Sequence, residues 1–181
     1  MLSIVASRVF HKTSRHITGS DAALRAGDAI MRDAAVLIDQ ITKYWVIHGM
    51  ALARVRAIDV WPPLLNFRYG ENRGVNFGLF DQGSELSRWV LIAVALIIIA
   101  AISYWIRRSE TGIWGYLSAG LLIGGALGNV IDRLWYGYVL DFLNMSCCGI
   151  RNPFVFNVAD IFIFAGAIGL VFFVKDGKKA P

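Results

Sequence analysis

The residues able to do chemistry in this chain are a few polar groups set in or beside apolar runs. Asp39 and Lys43 stand four apart inside one run, and Asn129, Asp132 and Arg133 close another. Asp141 follows eight residues after Arg133, and Asn157 and Asp160 open the last run. Ionisable groups in such places are costly and mark partners or function. Asp39 and Lys43, acid before base at i, i+4, are in the favourable order for a helical ion pair and read as a structural pair that orients their helix. Arg133 beside Asp132 favours the ionised acid, so Asp132 also reads as structural. Asn157 and Asp160, three apart, share one helical face.

Asp141 lies just beyond one apolar run and Asp160 just inside the next. If both runs cross a bilayer, the two carboxylates reach the same surface. Two carboxylates meeting near a low-dielectric boundary cannot both ionise cheaply, so one keeps its proton while the other can deprotonate a water. That is the acid–base arrangement of aspartic proteases. The neutral acid would polarise a scissile carbonyl, and nearby Asn and Arg donors could stabilise the oxyanion or hold substrate backbone. The same pair could instead bind protons or ions for transport, and the residues alone leave a protease and an ion- or proton-coupled transporter equally open. A third reading, a noncatalytic membrane assembly subunit, would need neither carboxylate.

These groups need elements to position them, and the composition says which. Of 181 residues, 56% are hydrophobic and 17% charged, well below the roughly 25% charge of soluble domains. A bilayer-spanning helix needs about 20 mostly apolar residues. Leu86–Ile106, Ile113–Val130 and about Phe156–Val174 qualify. The earliest span, Ala34 to about Ala53, is weaker because it holds Asp39, Gln40, Lys43 and His48. Gly120, Gly124 and Gly128 lay a smooth ridge along the third span, which permits close helix approach. Leu65, Phe67 and Tyr69 alternate with Asn66, Arg68 and Gly70, the period-two pattern of a half-buried strand. The expected fold is an all-α membrane protein with four transmembrane helices and a small extracytoplasmic β-element.

The net charge of +5 does not point to nucleic acid, because the basic residues flank apolar runs, as topology signals do. Arg107 and Arg108 fill the loop between the second and third spans, Lys175, Lys178 and Lys179 follow the fourth, and Arg8, Lys12, Arg15, Arg25 and Arg32 precede the first. Four crossings put all three groups on the cytoplasmic side, although the loop from Arg54 to Arg88 is also basic. No apolar stretch of ~7–15 residues follows the basic start, so the first residues do not read as a secretory signal. Residues 1–33 are expected to form a basic, poorly ordered cytoplasmic arm, 34–175 the membrane domain and 176–181 a cytoplasmic tail. Adjacent Cys147 and Cys148 cannot staple distant segments and read as a loop thiol pair.

Five blocks occur in order: DQITK (Asp39 to Lys43), NRGVNFG (Asn72 to Gly78), GGALGNVIDR (Gly124 to Arg133), VLDF (Val139 to Phe142) and FNVAD (Phe156 to Asp160). Together they resemble the bacterial lipoprotein signal peptidases, or signal peptidase II, over roughly residues 34 to 174. The resemblance implies a four-helix membrane aspartyl endopeptidase with a small extracytoplasmic β-cradle. Such an enzyme removes signal peptides from diacylglyceryl-modified prolipoproteins, cutting immediately before the lipid-bearing cysteine. It implies Asp141 and Asp160 as the catalytic dyad, Asn72, Asn129, Arg133 and Asn157 around the substrate, and Asp39, Lys43 and Asp132 as structural support. It implies no metal or other cofactor, and none of the three histidines has a ligand set. Its partners would be prolipoprotein substrates and membrane lipids. It would act as a monomer in the bacterial cytoplasmic (inner) membrane, with both termini cytoplasmic and the active site near the extracytoplasmic surface. The chain departs from the pattern in three places. Only Ala34 to Ile38 form an apolar lead into Asp39, Asn76 stands where a small residue is usual, and Gly78 where serine is common.

Overall fold

A computed structural model describes residues 19–74, 85–147, 149 and 152–174 of the chain. Four long helices carry the mass: α1 (Gly19–Tyr44), α3 (Glu85–Arg108), α4 (Ile113–Tyr136) and α5 (Val158–Phe173). A π-helical turn (Trp45–Gly49) and a short α2 (Leu52–Val55) lead from α1 into strands β1 (Ala57–Trp61) and β2 (Leu65–Asn72), and β3 (Val139–Asn144) follows α4. Ala51 and Arg56 bracket α2 with φ of 54° and 68°, and these left-handed residues turn the chain out of the bundle into the sheet.

The helices α3 and α4 are long and apolar enough to cross a membrane, and α5 is a shorter apolar helix. The apolar run of α4 continues past Val130 to Tyr136, so Asn129, Asp132 and Arg133 all lie inside the helix. Gly137 ends it in the left-handed conformation at φ 85°, its N–H bonded to the Arg133 carbonyl, a cap that glycine adopts without a Cβ penalty.

The first helix differs from the sequence expectation. It begins at Gly19, so residues 19–33, assigned above to a poorly ordered arm, form its first turns. Its regular part ends at Tyr44, where the π-helical turn begins, short of Ala53. Hydropathy stopped at Arg32-Asp33, but the charges there alternate in sign at helical spacing (Asp21/Arg25, Asp28/Arg32) and are compatible with a helix.

Helix α4 is the centre of the bundle, contacted by α1, α3 and α5. The glycine ridge makes the closest approach possible. A Cβ on Gly124 would stand 2.5 Å from the Arg32 carbonyl oxygen and 2.7 Å from Ala35 Cβ, and one on Gly128 would stand 2.7 Å from Asp39 Oδ2. Gly125 and Gly166 do the same at the α4–α5 seam, where Cβ atoms would meet Ala159, Ile163 and Leu122. Gly124→Val should therefore push α1 off α4 and cost about 1–3 kcal/mol of overpacking, read as a lower Tm of the detergent-solubilised protein. Gly112→Ala, with nothing within 4 Å of its Cβ, should leave Tm unchanged.

By contrast α3 buries only Ile92 and Ile106. It packs against the bundle at its C-terminal end, where Ile106 meets Tyr116, Ala119 and Leu122. Much of its remaining apolar surface, including Val94, Ile97 and Ile98, is exposed.

The sheet has the order β1-β2-β3, antiparallel throughout. The expected strand is β2. It sits between β1 and β3, and its Gly70 is directly opposite Asp141. Phe142, Leu140, Val46, Ile47 and Leu52 form a core beneath the sheet, which seats β3 against the end of the bundle. Asn76 and Gly78, Cys148, and the flanking cations Arg8, Lys12, Arg15, Lys175, Lys178 and Lys179 lie outside the described residues. Cys147 is an exposed free thiol.

Candidate active site

Two elements bring the carboxylates together. Asp141 is the third residue of β3, only 3% exposed, and Asp160 sits in the first turn of α5. A reciprocal capping box fixes that turn: Asp160 N–H donates to Asn157 Oδ1 at 3.0 Å, and Asn157 N–H donates to Asp160 Oδ2 at 3.2 Å. The Asn157 side chain then reaches across, its Nδ2 donating to Asp141 Oδ1 at 2.6 Å. One asparagine therefore touches both carboxylates.

Asn129 of α4 completes the cluster. Its Nδ2 donates to Asp160 Oδ1 at 2.9 Å, and its Oδ1 accepts from Asn157 Nδ2 at 3.2 Å and from Lys43 Nζ at 3.3 Å. With two donors on Oδ1, the amide has one satisfactory orientation, which aims its N–H at Asp160. Asn72, at the end of β2, is exposed and hydrogen-bonds Asp141. Its Oδ1 accepts from Gly74 N–H at 3.1 Å, which leaves its amide nitrogen as the donor. Arg73 holds this strand end, paired with Glu71 at 2.8 Å and stacked 4.9 Å above the Tyr138 ring. That pairing holds the Glu71 carboxyl below its ordinary value.

Behind the pair lies a second cluster, in which Asp39, Lys43 and Asp132 are buried. Lys43 Nζ stands 2.7 Å from both Asp39 Oδ2 and Asp132 Oδ2. Gln40 Nε2 donates to Asp132 Oδ1 at 2.9 Å and to Asp39 Oδ2 at 3.1 Å. The free oxygen of Asp39 accepts the Ala159 N–H at 2.9 Å, and Asp132 Oδ2 accepts the Leu140 N–H at 3.0 Å. These two bonds tie the first turn of α5 and strand β3 to α1 and α4, so the cluster positions both elements that carry Asp141 and Asp160.

The sequence set Arg133 beside Asp132, but the ion pair of Asp132 in the structure is with Lys43. Consecutive side chains on a helix diverge by about 100°, and Asp132 turns inward to Lys43. Arg133 instead donates to the Asn129 carbonyl oxygen at 3.2 Å. Gln40 was visible as a polar residue in an apolar run, but its bridge between two carboxylates was not.

Burial raises the Asp141 carboxyl to about 7, and the neighbouring Asp160 charge adds to the rise. The hydrogen bonds from Asn157 and Asn72 oppose it. Beside the pair, an apolar cavity of about 200 Å³ opens between α3, α4 and α5, with Asn129 and Arg133 among lining residues that include Leu91, Val94, Ala126 and Ile163. Among the described residues no cluster of His, Cys, Asp and Glu could hold a metal ion.

A buried aspartate pair crossed by asparagine amides invites comparison with known proteins. The family model for Signal peptidase (SPase) II matches residues 33–175. The chain belongs to the signal peptidase II family. Among curated relatives, lipoprotein signal peptidase of Methylorubrum extorquens is 41% identical, across 82% of this chain and 85% of the relative. That of Rhodopseudomonas palustris is 37% identical, across 81% of this chain and 92% of the relative. Two solved structures described as a bacterial membrane enzyme, both 27% identical, superpose with TM-scores of 0.64 and 0.69. They cover 80% of this chain and 85% and 90% of theirs. The family is one of aspartic peptidases that process lipoproteins, and the membrane assignment follows from it together with the apolar helices.

Proposed function

We propose that this chain removes signal peptides from diacylglyceryl-modified prolipoproteins by cutting immediately before the lipidated cysteine, with Asp141 and Asp160 as its dyad. The observation that carries the assignment is the single asparagine, Asn157, hydrogen-bonded to both carboxylates. Family membership supports the reaction, and the transporter reading finds no support among the relatives.

The site divides the roles. Asp141, raised to about 7, carries the proton and polarises the scissile carbonyl. Asp160 carries the charge and takes a proton from the attacking water. The protonated Asp160 then delivers that proton to the leaving amine. Arg133 spends one N–H on the Asn129 carbonyl, and its other donors serve the substrate backbone or the oxyanion. Asn72 holds Asp141 from the sheet side. The apolar cavity between α3, α4 and α5 receives the signal helix or an acyl chain, and the sheet covers the cut bond from above.

The same reading carries a topology. Helices α1, α3, α4 and α5 cross the membrane, with both termini cytoplasmic and the dyad at the outer surface of the inner membrane. Trp114 and Trp135 lie at opposite ends of α4 and are 63% and 81% exposed. They stand roughly 31 Å apart along the helix, which matches aromatic belts on either side of a ~30 Å hydrocarbon core. The peptidase acts as a monomer without a cofactor.

The direct test mixes purified protein with a diacylglyceryl-modified prolipoprotein and reads the new N-terminus by mass spectrometry. Cleavage before the lipidated cysteine is expected, with none of the unmodified precursor. Proton flux in liposomes without cleavage would overturn the reading. The pH profile is a further expectation. Loss of the Asp141 proton leaves two carboxylates and no acid, so kcat/KM should fall as pH rises through about 7. A flat profile from pH 6 to 9 would remove Asp141 as the acid.

A further inference from the structure

Far from the dyad, the α1, α3 and α4 ends near Arg107 enclose a second polar space. Its cavity of about 260 Å³ is lined by Arg25, Asp28, Arg32, Ser103, Arg107 and Tyr116, among others, and exceeds what a single water needs. Three guanidinium groups line it. Arg32 is engaged by Asp33 at 2.9 Å through Nε. Asp28 Oδ1 is buried and has no hydrogen-bond partner among the described residues, although those cations share its cavity. A buried acceptor left open is costly and calls for a donor.

We propose that this cleft binds the headgroup of a phospholipid bearing an N–H ammonium, its phosphate held by Arg25 and Arg107 and its ammonium donating to Asp28. The proposal rests on the reading that this end of the bundle lies at a bilayer surface, but not on the peptidase assignment. Several features favour a lipid over a soluble phosphate. The cavity lies where α3 ends in Arg107 and Arg108, Ile106 forms part of its wall, and the exposed rings of Tyr104, Trp105 and Trp114 sit at the same helix ends. Such rings settle at headgroup depth. An anion alone would satisfy the arginines and leave Asp28 unpaired, or repel it. A headgroup with a cationic donor satisfies both.

The test uses wild-type protein first, so folding is not in question. The protein is reconstituted in nanodiscs with equal amounts of phosphatidylethanolamine, its N-methyl and N,N-dimethyl forms, phosphatidylcholine and phosphatidylglycerol. Retained lipid is then measured by native mass spectrometry. The three headgroups that keep an N–H should be retained about tenfold over phosphatidylcholine, the effect of one charge-assisted hydrogen bond. Asp28→Asn should reduce that preference, and Arg25→Gln with Arg107→Gln should lower retention of every phospholipid. Arg108→Gln, outside the lining, should change nothing. Equal retention of phosphatidylethanolamine and phosphatidylcholine would mean that Asp28 makes no contact with the ammonium, and preference for phosphatidylglycerol would mean an anion site. Either result overturns the proposal, as does an ammonium preference that survives Asp28→Asn unchanged.

Discussion

Asp141→Asn and Asp160→Asn should each cut prolipoprotein cleavage by at least about a thousandfold, within the range lost when a positioned acid or base is removed. Asparagine is the informative substitute because each carboxylate also has a structural bond to keep. In Asp160→Asn the amide oxygen can still accept from the Asn157 backbone, so the helix cap survives, whereas alanine would add about 1 kcal/mol of lost capping. In Asp141→Asn the amide oxygen can still accept from Asn157 Nδ2. The two variants should differ in stability. The folded-state value of Asp141 is raised above its unfolded one, so between about pH 4 and 7 the folded form holds a proton the unfolded form has lost. Wild-type stability should therefore decline as pH rises through that window, by up to a few kcal/mol. Asp141→Asn removes the titrating group and should show a flatter Tm profile from pH 4 to 8. Full cleavage by either variant would remove the dyad.

The carboxylates were legible in the sequence because an acid at the edge of an apolar run has to be explained. Asp141 and Asp160 could be placed at one surface by counting crossings alone. The spans of α3 and α4 were equally plain, since length and hydropathy define them. Local pattern failed where the decisive interaction is distant in sequence. Lys43 meets Asn129 and Asp132 only because α1 docks on the α4 glycine ridge, and no spacing rule connects those positions. Asp132 was given the nearest cation in the chain rather than the nearest in space. Strand β3 was missed because Val139, Leu140, Asp141 and Phe142 are all buried, so it shows no alternation for a period-two reading to find. Charges at Arg32 and Asp33 hid the start of α1, although helix formation needs no apolar run, only a membrane crossing does.

Lys43→Met should damage both stability and catalysis, and the two losses can be separated. The ammonium is buried between Asp39 and Asp132, so removing it leaves two acids sharing only the Gln40 amide. Breaking a buried ion cluster on one side costs about 3–5 kcal/mol. If Lys43 were only a structural counter-ion, neutralising one acid would restore what was lost. The geometry predicts otherwise. Lys43 also donates to Asn129 Oδ1, and without that donor the amide oxygen is held by Asn157 Nδ2 alone, so the aim of its N–H at Asp160 loosens. The Lys43→Met, Asp132→Asn double variant should thus recover much of its Tm while cleavage stays about a hundredfold below wild type, a penalty typical of a small misplacement at a reacting group. Its pH profile should also move, to higher pH, because the Lys43 charge that helps hold Asp141 down is gone. Recovery of activity in parallel with Tm would reduce Lys43 to a counter-ion. Recovery of Tm alone would make it the residue that aims Asn129 at the dyad.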